Sequence, residues 1–397
     1  MLSVAFLTLA SAAVSVATNL YVSSYEGVVH TVKLKQGAGD LLYLEPNATT
    51  AGCASSPSWL ELDGENRILY CIDEGLQFPQ PAGSLSSYNI QENGILAQQN
   101  RFQTVVAGPV HGVLYKKGDQ QAMAMAHYSG SSITNWKVSL EGDITFLTNV
   151  TFTMDSPGPN EQRQEAPHEH QALIDPTGNF LLFPDLGADL VRVFSVDEHL
   201  NMQREEPLAV EPGSGPRHAA FWQADDESPL YLFVVTELAN TLTSYAVTYP
   251  EEGGMAFEEK FVTNTFGGET IPEGAAAAEI QVAPSNDFIL ISNRNDSSFM
   301  LPNIDPTNST LEESDSIASF RPSAADGSLE FVQLTPAGGL FPRHFSLNAA
   351  GDVVAIALQR SSRVVLMARD VHSGEVGNPV GVVELEGELT AVIWDEF

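Results

Sequence analysis

The chain repeats itself weakly, with a period of about 50 residues, a spacing that belongs to propellers and solenoids. The copies are PSWLELDGENRILYCIDEG from Pro57, PVHGVLYKKGDQQAMAMAHYSGSSITNWKV from Pro109 and PHEHQALIDPTGNFLLFPDLGADLVRVFSVD from Pro167. They continue with GPRHAAFWQADDESPLYLFVVTELANTLTSYAV from Gly215, a looser EGAAAAEIQVAPSNDFILISNRNDSSFML from Glu273, and PRHFSLNAAGDVVAIALQRSSRVVLMARD from Pro342. Each reads as a short strand, an Asp/Gly turn, a second apolar strand, a polar turn and a third, alternating strand. Short apolar runs bounded by turn residues mean sheets buried on both faces, which blades stacked around a ring provide. No helical stripe of useful length interrupts them, so helices are expected to be scarce.

Six copies are complete, and the chain ends supply a seventh. NLYVSSYEGVVHTVKL has a second and a third strand but lacks a first, and LTAVIW (389–394) fits the vacant place. Pairing the two ends in one blade closes the ring and removes two exposed edges. The expectation is an all-β, seven-bladed propeller of four-stranded blades, with six or eight blades as the alternatives. A ring also explains how 397 residues can form one domain, over 18–397.

Residues 1–17 form an apolar run of small and branched residues that reads as a secretory signal peptide, with a buried first strand as the alternative. Secretion is therefore expected. Sequons at Asn47, Asn149 and Asn308 are expected to carry glycan, and a fourth at Asn295 to stay bare. The two cysteines, Cys53 and Cys71, read either as a disulfide closing a short loop or as buried thiols. The chain carries 51 acidic against 18 basic residues, a net charge of −33. That balance excludes a nucleic-acid partner and docking on anionic lipid, and no later segment is long and apolar enough to span a membrane. A monomer is expected.

The repeats share a second pattern. Their second strands end in polar residues: Asp73 and Glu74, His127, Asp185, Glu237, Arg294 and Gln359. The starts of the first strands add His111, His168, His170, Arg217, His218, Arg343 and His344. Equivalent positions in a ring lie at one end of its channel, where propellers bind ligands.

PHEHQALIDPTGNFLLFPDLGADLVRVFSVD, GSGPRHAAF, FVVTELANTL, ISNRNDSS and FPRHFSLNAAGD resemble the successive motifs of the lactonase seven-bladed propellers. That group includes bacterial-type 6-phosphogluconolactonases and fungal carboxy-cis,cis-muconate cyclases. The resemblance spans 20–394 and implies a catalytic quartet of His168, Arg217, Glu237 and Arg294; the repeat pattern adds His170, Asp185, His218, Arg343, His344 and Gln359 as candidates around the substrate. The resemblance implies a hydrolase of small anionic or sugar-derived lactones, with a lactonizing cycloisomerase or a non-catalytic binding propeller as alternatives. Lactone opening builds negative charge on an acyl oxygen. Paired guanidiniums stabilise such charge, and His168 and Glu237 are the candidate general acid and base. No cofactor and no metal are expected. The nearest approach to a ligand set is His168-Glu-His170, and no G-x-S-x-G nucleophile elbow occurs.

Overall fold

The apolar runs of the repeat are all strands in the computed structural model, which describes residues 18–36, 42–76, 82–303 and 307–396. They are Ile68–Asp73, Gln120–His127, Phe180–Asp185, Leu230–Thr236, Ile289–Arg294 and Val353–Leu358. Each is the second strand of an antiparallel sheet, and no described residue is helical. Blades 1 to 6, in chain order, span 57–103, 109–151, 173–209, 216–264, 276–336 and 342–384. The seventh combines both ends. Leu389–Asp395 is its innermost strand and pairs with Asn19–Ser24, followed outward by Val28–Gln36 and Leu42–Ala51. The chain is thus a seven-bladed propeller.

Closure is reinforced by side chains. Asn19 and Tyr21 donate to the Asp395 carboxylate at 3.0 and 2.7 Å. Thr390 donates to the Pro57 carbonyl at 2.6 Å, tying the closing blade to blade 1. The apolar core follows the same logic. It is split into clusters that each bridge two neighbouring blades, such as Leu20, Val22 and Trp394 against Ala355, Ala357 and Leu366, or Leu182 and Val193 against Leu232 and Val234. A blade buries its second apolar face only against its neighbour, at roughly 25 cal/mol per Å² of apolar surface removed from water. The ring is therefore the cooperative unit.

Cys53 and Cys71 form a disulfide, with Cα atoms 5.9 Å apart, which ties the loop leaving blade 7 to the second strand of blade 1. The expected leader, 1–17, lies outside the described residues. Asn149 and Asn308 are exposed, and Asn47 is half-buried on the outermost strand of blade 7.

Two blades depart from the repeat as read. In blade 3 the innermost strand shrinks to Leu173–Ile174. The preceding His168 and Glu169 meet the end of the second strand through the Leu186 amide, the Asp185 side chain and an isolated Glu169–Asp185 bridge. In blade 5 the SSFML segment does not open the third strand. Phe299–Pro302 pairs instead with Leu311–Ser314 as an inserted hairpin, and the third strand is Ser316–Pro322.

Candidate active site

The innermost strands are not regular. Pairing with the second strand skips Ser58, Val110, Arg217, Arg343 and Thr390, and both Ala278 and Glu279. A β-bulge bends its strand and re-aims the extra side chain. Six of the seven blades carry this bulge, and in two of them the skipped residue is an arginine.

The local sequence holds Arg217 in place. Asp189, from the DLGAD run, accepts the Gly213 and Gly215 amides at 2.7 and 2.9 Å. Both glycines have positive φ, of 84° and 65°, which L side chains rarely adopt. The Gly215 carbonyl in turn accepts the Glu237 amide at 2.8 Å. The GSGPRH and DLGAD motifs are therefore one clamp that sets Arg217 beside Glu237.

At the mouth, Glu237 sits among three guanidiniums. Arg294 Nη2 donates to its Oε2 at 2.8 Å, Arg217 Nε lies 3.1 Å from the same oxygen, and Arg163 Nη2 reaches Oε1 at 2.5 Å. Arg217 also donates to the Ala278 carbonyl at 2.6 Å. From blade 6, Arg343 donates to Glu74 of blade 1 at 3.1 Å and lies over the Tyr25 ring. Gln359 donates to Glu388 at 2.8 Å, and its Oε1 has no partner. Four guanidiniums thus meet the buried Glu237 and the partly buried Glu74, with Glu165 and Glu388 exposed at the periphery. In a chain of net charge −33 this is a local positive focus.

The guanidiniums around Glu237 work against its expected role as proton acceptor. Burial alone would raise its carboxyl, but Arg294, Arg217 and Arg163 together hold it far below the usual carboxylate range. It stays ionised and fixes the guanidiniums. His168 lies beside this group. Its ring stacks on Tyr128 at 4.2 Å, its Nδ1–H donates to the Tyr128 carbonyl at 2.9 Å, and its Nε2 lies 3.1 Å from Glu165. Tyr128 links it to the cluster by accepting from Arg163 at 3.3 Å.

Three positions singled out from the sequence, Asp73, His127 and Asp185, face the wrong way, and Asp73 accepts the Ser56 and Gly75 amides. The amides of Tyr25, Glu74, Tyr128, Leu186, Glu237 and Gln359 all bond back to the start of their own innermost strand, which defines the channel-facing register. Asp73, His127 and Asp185 precede that position by one residue, and one step along a strand turns a side chain to the opposite face. Asp185 instead accepts the His168 and Ala188 amides and pairs with Arg192. His127 donates from Nδ1 to the Ala107 carbonyl and accepts from Thr134 at Nε2, 2.8 Å away. Tyr128 is the residue missed by that slip, and Tyr25, on the closing blade, was not singled out at all. Arg163 was missed too, because it lies in the long connection before blade 3, outside every repeat.

One step further along the innermost strands is a second layer. Trp59, His111, His170, His218 and His344, from five blades, pack ring on ring. Trp59 stacks on His111 at 3.8 Å and meets His344 at 4.8 Å, while His218 meets His111 at 5.3 Å and His170 at 5.1 Å. Glu279 lies among them, 3.3 Å from His218 Nδ1. This layer forms the floor of the arginine-lined mouth. Burial, with the nearby guanidiniums, pushes His170 and His218 well below the ordinary imidazole value, so both are neutral. His168 and His170 point to different neighbours. Among the described residues no group of three or more His, Cys, Asp and Glu side chains has the arrangement of a metal site.

Comparison with known proteins places this geometry. Residues 19–392 match the family described as "Lactonase, 7-bladed beta-propeller". A protein of Arthroderma benhamiae named "Probable 6-phosphogluconolactonase" is 32% identical over 383 residues, 95% of this chain and 90% of that one. A Bacillus subtilis 6-phosphogluconolactonase is 25% identical over 323 residues, covering 81% and 82%. In structure, a Pseudomonas aeruginosa periplasmic gluconolactonase superposes with a TM-score of 0.74 at 22% identity, over 95% of this chain and 98% of that one. That last likeness speaks to the fold.

Proposed function

From the premise that the chain belongs to the lactonase family of seven-bladed β-propellers, we propose that it hydrolyses a small anionic or sugar-derived lactone at the arginine-lined mouth of its channel. One observation carries this reading: Arg163, Arg217 and Arg294 converge on the single carboxylate of Glu237. Glu237 offsets part of their charge and fixes their direction, and the surplus is available to a ligand. Water attack on a lactone carbonyl transfers the π electrons to the acyl oxygen. Preorganised guanidinium donors stabilise that charge without reorganising, and loss of one such donor typically costs about 10²–10³ in rate. Arg343 and Gln359 on blade 6 are placed to orient the rest of the ligand.

The same proposal includes secretion. It rests on the apolar leader 1–17, on the Cys53–Cys71 disulfide, since such bonds persist in oxidising compartments, and on the exposure of the Asn149 and Asn308 sequons. Outside the cell an unphosphorylated lactone is the expected substrate.

The test is a pH-stat screen of purified protein against phosphorylated and unphosphorylated aldonolactones, aromatic-derived lactones and muconates. The proposal expects saturable proton release on a lactone above the uncatalysed blank. Loss of muconate absorbance would favour a cycloisomerase, and inactivity of folded protein on every compound would favour a binding propeller.

A further inference from the structure

We propose that His170 is the general base of this site and that His218 and Glu279 behind it form a proton relay ending on a buried carboxylate; this rests on the reading of the chain as a lactone hydrolase.

The geometry fixes the order of the relay. Glu279 Oε1 lies 3.3 Å from His218 Nδ1, and His218 Nε2 lies 3.2 Å from His170 Nδ1. The surroundings fix the direction of each hydrogen. His344 Nδ1 accepts the Val392 amide at 3.2 Å, so its hydrogen is on Nε2, 3.9 Å from Glu279 Oε2. Glu279 Oε1 also accepts the Ile280 amide at 3.1 Å. Its carboxyl therefore meets donors, which suits a carboxylate, and His218 donates to it from Nδ1. His218 Nε2 then holds a lone pair and accepts from His170 Nδ1–H. His170 is left with a lone pair on Nε2. That atom has no protein partner and is not among the sealed polar atoms, so it is open to the channel. Tyr128, which stacks on His168, meets the His170 ring at 5.7 Å, and Arg217 is the strongest of the guanidinium influences on it.

The far end is built to receive a proton. Glu279 Oε2 is buried; it lies 3.2 Å from His218 Nδ1 without making a hydrogen bond of good geometry, and 3.9 Å from His344 Nε2. Burial raises the Glu279 carboxyl and depresses both imidazoles, and both shifts act toward a proton on the carboxylate end of the chain. In the step itself, water oxygen bonds to the lactone carbonyl carbon and the π pair moves to the acyl oxygen. The water proton goes to His170 Nε2, the His170 Nδ1 proton to His218 Nε2, and the His218 Nδ1 proton to Glu279. On collapse the carbonyl re-forms, the ring C–O bond breaks, and the relay runs backwards to protonate the leaving alkoxide. The relay ends as it began, and the new carboxylic acid loses its proton to solvent. His170 is the catalytic residue; His218 and Glu279 act through it.

Two measurements test this. The first compares wild type with Glu279→Gln, which keeps an acceptor oxygen for His218 but cannot take its proton. The expected result is a kcat lower by about 10²–10³-fold, as for loss of acid–base catalysis, with KM within about twofold. In mixtures of H2O and D2O, kcat should follow a curved dependence on deuterium fraction in wild type and a linear one in the variant. Unchanged kcat in Glu279→Gln would overturn the relay. The second measurement uses 15N-histidine-labelled wild type and needs no substrate. Long-range 1H–15N spectra should show His170 and His218 both as Nδ1–H tautomers, with a coupling across the His170–His218 N–H···N bond. Either ring as the Nε2–H tautomer would overturn the relay whatever the enzyme turns over. Correct tautomers with no lactone turnover would instead remove the hydrolase reading, and the base role with it, while the hydrogen-bonded chain stands.

Discussion

Arg294 Nη2 donates to Glu237 Oε2 at 2.8 Å, and Arg217 Nε lies 3.1 Å from that same oxygen, so one carboxylate on blade 4 fixes guanidiniums from two blades. Removing one partner from a buried ion pair costs about 3–5 kcal/mol, because it leaves charge uncompensated. Glu237→Gln should therefore lower the melting temperature by several degrees and cut kcat/KM by at least tenfold. Because Glu237 is held ionised across the working range, the variant should keep the shape of the wild-type pH–rate profile. Thermal melts and a pH–rate series on both proteins check this; loss of one limb of the profile would restore Glu237 as the base.

Arg217→Ala should reduce kcat/KM by roughly 10²–10³-fold through loss of oxyanion stabilisation. Arg343→Ala should act mainly on KM, and more for anionic than for neutral lactones, since Arg343 meets Glu74 across the channel rather than the Glu237 group. Steady-state kinetics on a charged and an uncharged lactone separate the two effects.

Much of this was legible in the sequence. The repeat and the blade closure are readable because apolar runs, turn residues and polar strand ends recur in register, whereas the quartet His168, Arg217, Glu237 and Arg294 is implied by the resemblance to the lactonase family. Two kinds of information were not. His127 and Asp185 miss the channel by one residue, a distinction the apolar run alone cannot make, since both faces of the second strand are buried. Arg163 comes from a non-repeating connection, and only the folded chain shows it reaching Glu237. The charge around Glu237 was hidden for a related reason. A carboxylate's chemistry depends on how many cations surround it, which sequence spacing does not reveal.

Below about pH 6.5, His127 should contribute a loss of stability. His127 is buried and neutral, its value pushed down to about 3 chiefly by burial. A basic group with a depressed folded value leaves the native state binding fewer protons than the unfolded chain below the ordinary imidazole value, so stability falls as pH falls through that window. Each unit of depression corresponds to about 1.4 kcal/mol. Burial pushes Glu61 up to about 7, which acts oppositely: the native state holds the extra proton between 4.5 and 7, so this contribution to stability grows on acidification. Melting temperature against pH should fall less steeply below pH 6.5 in His127→Gln than in wild type. The slope on acidification should become steeper in Glu61→Gln. Parallel curves for all three proteins would refute both assignments.

Reducing the Cys53–Cys71 bond should lower unfolding stability by about 3 kcal/mol, from the loop of 18 residues that it closes. Neither cysteine touches the arginine group, so turnover per folded molecule should not change. Denaturant unfolding with and without reductant, paired with activity below the transition, checks both parts.

The most direct test of the account is proton release in a pH-stat by wild type and by Arg294→Ala on the same lactone. The account predicts one proton per lactone consumed by wild type, and a rate at least 10²-fold lower for the folded variant. Equal rates for the two proteins, or no release by folded wild type above the blank, would contradict lactone hydrolysis at the arginine-lined mouth.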